Sequence, residues 1–383
     1  MSSKARSRSA GQKLFIFLFV LHVVLVLFPS SSFAQEGLEI VGQQSSAPQE
    51  SFHKGTVVKI EKEGMKKIGN DDNFYQTVQL QLDNNKTILA EYGGQTKIPE
   101  NQKLRIGNEV VVLSAKLPNQ PIKYHIVDRY RLTPLPFLII GFFVLVIAFA
   151  GRKGLGSIAG MIISLGVLLF FIVPQILAGH DALLVTIIGA LFIMITTIYL
   201  SHGFSRQTTV AIIATFFSLL ITGILAIYFV NLLSLQGLGS EENMALQFGA
   251  DFINLQGILL GGIIIASLGV LDDTTTTQSA TIFELAKTNT KLTFGQLVEK
   301  GLSIGREHIA ALVNTLVLAY AGVSLSLFIF FVLNPQNQPY WVLLNSESIV
   351  EEVVRTIAGS IGLILAVPIT TILAAWMVKK FSI

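Results

Sequence analysis

Seven stretches of the chain, near 134–150, 155–178, 182–201, 208–235, 255–273, 309–333 and 356–378, are long, apolar and almost free of charge. Segments of that kind constrain a fold more than any motif does. In hydrocarbon no water bonds a bare N–H or C=O, so the backbone must satisfy itself as a helix of about 20 residues. The composition agrees: 13% of the 383 residues are charged and 51% hydrophobic, where a soluble domain carries roughly 25% charged. The fold class predicted is a membrane all-α bundle of about seven transmembrane helices, occupying 132–383 and preceded by a small β domain.

The loops orient the spans. Lysine and arginine in short loops mark the cytoplasmic side. Counting crossings from an outside start, the inner loops hold Arg152, Lys153, Arg206, Lys287, Lys291, Lys300 and Arg306, and the tail holds Lys379 and Lys380. The outer loops hold only Arg355, among Asp181, Glu241, Glu242, Asp251, Glu347, Glu351 and Glu352. The N-terminal domain is therefore expected outside and the C-terminus in the cytoplasm. At the N-terminus Lys4, Arg6, Arg8 and Lys13 precede the apolar run Leu14 to Phe28, and Ser32-Phe33-Ala34 supplies a small-residue cleavage site before Gln35. This is the layout of a signal peptide over 1–34, with a polar linker at 35–50. The expected location is the cytoplasmic (inner) membrane of a bacterium. With no cysteine in the chain, disulfides, thiolate metal sites and cysteine nucleophiles are excluded.

Residues 51–131 change period. Val78, Leu80 and Leu82 alternate with Gln79 and Gln81, and Asp83-Asn84-Asn85 supplies turn residues before Thr87-Ile88-Leu89 returns. That is the pattern of a half-buried hairpin. Further strands are expected at 56–61, 109–114 and 124–130, enough for a small extracytoplasmic β-barrel, OB-like in size.

The chemistry is concentrated in LGVLDDTTTTQSATIFEL, 268–285. Acids at membrane depth cost several kcal/mol and generally serve a pathway or a packed polar site. Two depths are open for Asp272 and Asp273. If the fifth span ends at Leu271, they are helix-end charges at the inner interface, within reach of Lys287 or Arg306. If it continues through TTTTQSATIF, they lie near mid-membrane, and Asp273, Thr277, Thr281 and Glu284 share one helical face. Such a stripe of carboxylates and hydroxyls suits a cation or proton route, which Gln278, Asn314 and Thr315 would complete. The apolar residues of 282–298 suggest a helix lying along the inner interface. Pro368 marks either a broken helix or a packed kink. Gly257 and Gly261, like Gly156 and Gly160 or Ala358 and Gly362, are spaced for close helix contact. No histidine is near the acids in sequence, and no metal or other cofactor is expected. Phosphate-loop, H-E-x-x-H and G-x-S-x-G signatures are absent, so no catalytic residues are assigned.

The acidic segment, followed by GLSIGREHIAALVNTLVLAYAGVSLSL, resembles the YibE/F family of bacterial membrane proteins. The positions on the shared pattern are Asp272, Asp273, Gln278, Glu284, Gly305, Arg306, Asn314 and Thr315. The resemblance implies a polytopic membrane protein associated with transport, without an agreed substrate and without roles for single residues. Together these readings lead to a permease or transporter of a small polar solute or ion. The alternative is an envelope binding or assembly factor whose β domain does the recognition. The partners expected are the lipid bilayer and a small solute or cation, not nucleic acid; a homo-oligomer or an envelope partner stays open.

Overall fold

The computed structural model describes residues 49–68, 71–93, 98, 102–116, 122–249 and 252–381. The signal peptide expected at 1–34 and nearly all of the linker at 35–50 lie outside the described residues. The chain divides between Leu145 and Val146 into two compact units.

The first unit holds a five-stranded closed barrel, β1 (Gln49–Ile68), β2 (Asp71–Leu82), β3 (Thr87–Gly93), β4 (Glu109–Lys116) and β5 (Lys123–Arg129), in the order β1-β2-β3-β5-β4. β1 is long enough to serve two partners. Gln49–Thr56 pairs with β4 and Gly55–Ile68 with β2, both antiparallel, and a parallel contact of Glu91 with His125 joins β3 to β5. The alternation read from the sequence sets the core: Val78, Leu80 and Leu82 point inward with Val57, Val110, Val112 and Ile126. The most deeply buried polar side chain of the barrel is Gln76. The Gln76 carboxamide takes the N–H of Leu104 at 2.8 Å and donates to its carbonyl at 3.2 Å, so its burial leaves nothing unpaired.

Two of the barrel's surface ion pairs shift their carboxyls. Glu109 accepts from Lys54 at 2.7 Å and from the Thr133 hydroxyl, and the Lys54 contact holds its carboxyl below the ordinary 4.5. Arg131, bonded to Asp128 at 2.8 Å, lowers that carboxyl from 3.8. Groups depressed on folding stabilise above their unfolded value, and that contribution is lost as pH falls through the folded one. Amide protection in β1 and β4, corrected for intrinsic exchange, is therefore expected to be flat from neutrality to about pH 4.5 and to fall below it. Glu109→Gln should flatten part of that fall. The effect is small, because the pairs are solvated.

The second unit is helical. α1 (Leu135–Val167) begins in the first unit, loses helical geometry at Gly151 (φ 56°, ψ −132°), and continues through a π-turn at Leu168–Ile172 into α2 (Val173–Leu177). Then come α3 (Ala182–His202), α4 (Arg206–Leu232), α5 (Glu241–Gly249), α6 (Leu255–Thr288), α7 (Phe294–Val323), α8 (Leu325–Leu333), α9 (Tyr340–Leu344) and α10 (Glu347–Lys380). Local chemistry sets several of the starts. Asp181, Ser205 and Asn254 each accept a backbone N–H from the first turn that follows, and Thr293 with Gln296 forms a capping box, satisfying donors the helix itself leaves free.

Among the described residues, five helical segments are long and apolar enough to cross a membrane: Lys153–Leu177, α3, α4, α6 and α10. α7 and α8 make a sixth if the pair, bent by 64°, counts as one, and Leu135–Gly151 is a shorter apolar helix. α4, α6 and α10 pack most closely on one another, with α3 against α6 and α7 against α10. Small residues make those approaches. A Cβ on Gly257 would stand 3.2 Å from that of Ala182, one on Gly261 2.6 Å from Thr186 Oγ1, and one on Gly156 2.8 Å from the Leu200 carbonyl. The spacing read as helix contact is contact.

Three expectations are corrected. The fifth span does not stop at Asp273: α6 is a single helix of 34 residues, about 51 Å long. No separate interfacial helix follows it. Ile282, Phe283, Ala286, Leu292 and Leu297 are buried with Val210, Ala374, Ala375 and Val378, so the apolar faces read there are core between helix ends. Finally, Pro368 does not break its span, since α10 runs through it. The break lies at Ser324, between α7 and α8.

Candidate functional site

The acid pair sits halfway along α6. Neighbours on a helix point about 100° apart, and here that separates two environments. Asp272 turns toward α3, where the Thr197 hydroxyl lies 3.3 Å from Oδ2 while bonding the Ile193 carbonyl at 2.9 Å. Asp273 is exposed, without an ion-pair or hydrogen-bond partner among the described residues. The stripe expected with it is present: Thr277 and Glu284 are exposed and Thr281 half-buried. Glu284 pairs with Lys287 at 2.5 Å. At the end of α3, His202 lies within electrostatic range of both Asp273 and Lys153. The open face of α6 thus carries an acid with an imidazole nearby, and that imidazole in turn lies near the Lys153 ammonium.

The rest of TTTTQS has another role. Thr275 meets Thr215 of α4 at 2.6 Å, and Ser279 donates to the Gln207 carbonyl at 2.8 Å. The Gln278 carboxamide donates to Gly301 O of α7 at 2.9 Å and to Thr371 Oγ1 of α10 at 2.8 Å. Thr274 and Thr276 donate to the carbonyls of Val270 and Asp272 at 2.8 and 2.9 Å. Of the hydroxyls and amide in this run, only Thr277 faces outward; the others are buried. They form a seam joining four helices, each polar group satisfied before it leaves water.

These contacts give α6 a ruler. Gly257 and Gly261 lie beside Ala182 and Thr186 at the start of α3, Asp272 beside Thr197 near its end, and Ser279 level with Gln207 in the first turn of α4. Asp272 is seven residues from Ser279, about 10 Å along the axis.

Asn314 and Thr315 do not join Gln278. Gly305 is the α7 residue beside Gln278, and Asn314 lies nine residues on, about 13 Å away along the helix. Both are exposed, and the Thr315 hydroxyl donates back to Ala311 O at 2.9 Å. Arg306 is exposed as well. Thr197, Lys153 and His202 were not found from the sequence. His202 had a weak signal, as an imidazole at a span end, but a separation of about 70 residues from the acids hides the relation.

A family model described as YibE/F-like protein matches residues 138–380, well over half the chain. The chain belongs to the YibE/F-like family. No curated protein and no solved structure matches it. The YibE/F-like match opens within α1 and closes on the last residue of α10, so the whole bundle, acid pair included, lies inside it and the barrel ahead of it. With its long apolar helices, this YibE/F-like chain is a membrane-embedded protein.

Proposed function

We propose that the bundle is a permease for a small polar solute or ion and that Asp273 is the group that meets it. One observation carries the reading: Asp273, Thr277, Thr281 and Glu284 form a polar stripe on the open face of α6. Asp272 of the same pair sits about 10 Å inside the level of the first turn of α4. An acid at such a depth needs water, a partner or a passing ion beside it. Asp272, held against Thr197, orients the pair.

The topology proposed with it is N-terminus outside and C-terminus inside, in the cytoplasmic membrane of a bacterium after signal-peptide removal. Seven crossings follow if the bent α7–α8 pair makes one and Leu135–Gly151 spans alone; the latter's 17 residues reach about 25 Å, short of a ~30 Å core and so requiring local thinning. The closed five-stranded barrel supports an OB-like domain, and the lysine and arginine bias of the loops supports placing it outside the cytoplasm. A second reading, in which the barrel recognises an envelope partner, is favoured by its being a separate unit ahead of the family match. Deleting 51–131 distinguishes the two, since a permease keeps part of its activity and a recognition module keeps none.

The chain has no cysteine, so single cysteines report without further engineering. With membrane-impermeant thiol reagents, positions 273 and 277 are expected to label and 274 and 278 to stay blocked. Labelling of 273 from one surface only, in step with position 287, would reduce the acid to an interface charge and sink the reading.

A further inference from the structure

The loop between α4 and α5 is pinned at nearly every backbone N–H. Glu347 Oε1 accepts the N–H groups of Gln236, Gly237 and Leu238 at 2.5, 2.8 and 3.2 Å, and Glu351 Oε1 accepts that of Gly239 at 2.9 Å. Asn243 Nδ2 donates to Gly237 O and Gln256 Nε2 to Leu235 O, both at 2.8 Å. Gly237, at φ +86°, lies against the Leu255 backbone where no side chain fits. Four successive N–H groups closed on two carboxylates make a rigid wall.

That wall bounds a cleft of about 390 Å³ whose other sides are α5 and the first turn of α6. Four carboxamides line it, those of Gln236, Gln247, Asn254 and Gln256, and no charged side chain among the described residues does. The wall's two carboxylates are engaged by backbone. The side chains of Gln236 and Gln247 have no partner among the described residues. Asn254 is engaged only through Oδ1 and Gln256 only through Nε2, which leaves Nδ2 and Oε1 free. Leu238 and Ile253 add an apolar patch.

We propose that this cleft is a binding site for a small uncharged polyhydroxy solute. A carboxamide offers a donor and an acceptor side by side, the complement of a hydroxyl that does both. A cation would call for a carboxylate in the lining and an anion for arginine or lysine. Leu238 and Ile253 suit the C–H face of such a molecule. The volume falls in the range of about 300–1,000 Å³ usual for small-molecule sites, and the pinned wall supplies preorganisation. The cleft lies 17 residues from Asp272 on the same helix, about 26 Å away, and the inference does not depend on the acid pair.

The test is equilibrium binding of radiolabelled glucose, inositol and glycerol to the purified full chain in lipid nanodiscs, with gluconate and choline as charged competitors. Saturable binding of at least one neutral polyol is expected, weakened by about tenfold or more, ~1.4 kcal/mol, in the Gln236→Leu/Gln247→Leu variant. Both glutamine side chains are exposed and bonded to nothing among the described residues, and the Gln236 backbone bond to Glu347 is kept on substitution, so the variant should melt as the parent does. Gln247→Asn, which keeps a carboxamide, should retain part of the affinity. Three results overturn the proposal: no binding of any of the three polyols, equal binding by the double variant, or competition by gluconate or choline. None involves transport, so each would leave the acid-pair reading standing.

Discussion

Gly362→Leu is expected to prevent the bundle from assembling. Gly362 on α10 faces Thr222 on α4, and a Cβ built there falls well inside contact distance of the Thr222 hydroxyl oxygen. That hydroxyl cannot simply turn away, being bonded to Ser218 O at 2.9 Å with Thr222 fully buried. Close approach of this kind is how membrane helices associate when no hydrophobic driving force separates them from lipid. Inserting one methyl should cost about 1–3 kcal/mol, and leucine more, a large part of a net stability of ~5–15 kcal/mol. The check is the yield of monodisperse protein and its melting temperature. Gly362→Ala should lower both, and Thr222→Ala added to it should restore part of the loss, a coupling of about 1 kcal/mol or more. A Gly362→Ala protein that melts like the parent would show that α4 and α10 do not meet here.

The two acids are expected to separate on substitution. Asp273 is exposed and unpartnered, so Asp273→Asn should insert, fold and melt normally. Solute movement should nevertheless fall on the order of 100-fold, ~2.7 kcal/mol, because the charge that meets the solute is gone. Asp272→Asn keeps an acceptor for the Thr197 hydroxyl and should cost about tenfold; Asp272→Leu, which removes that acceptor, should also lower the melting temperature by a few degrees. Uptake or efflux scored against membrane abundance separates activity from folding. Unchanged movement in Asp273→Asn at normal abundance would remove Asp273 from the pathway.

Much of the fold was legible because it rests on local chemistry. Several helix starts rest on single capping residues, Asp181, Ser205 and Asn254, whose contacts reach only three residues along the chain. The barrel core followed from the alternation of Val78, Leu80 and Leu82, which forces one face inward whatever the partner strand. Four of the helices long enough to cross start within a few residues of where their apolar runs do, because hydrocarbon tolerates no other backbone.

At the site, the stripe from Asp273 to Glu284 was readable from helical spacing alone, but its surroundings were not. Gln278 looked like part of a pathway, and it turned out, with Thr275 and Ser279, to join α6 to α4, α7 and α10. A hydroxyl serves a seam or a route equally well in sequence, and only the neighbour it meets decides. The same holds for Pro368, which suits a broken helix or a packed kink and lies within the unbroken α10, and for apolar residues around 282–298 that suit an interface until α4 and α10 cover them.

What the sequence determined by itself is therefore everything set within one turn of helix or one strand: which segments are apolar, where helices begin, which strand face is buried and which residues share a stripe. Tertiary structure alone decided how far α6 runs, which acid is held and which is open, and that His202 stands near Asp273 on one side and Lys153 on the other. Those are relations between residues some 50 to 75 positions apart, made by glycines that let helix backbones touch, and helical period carries no information across such distances.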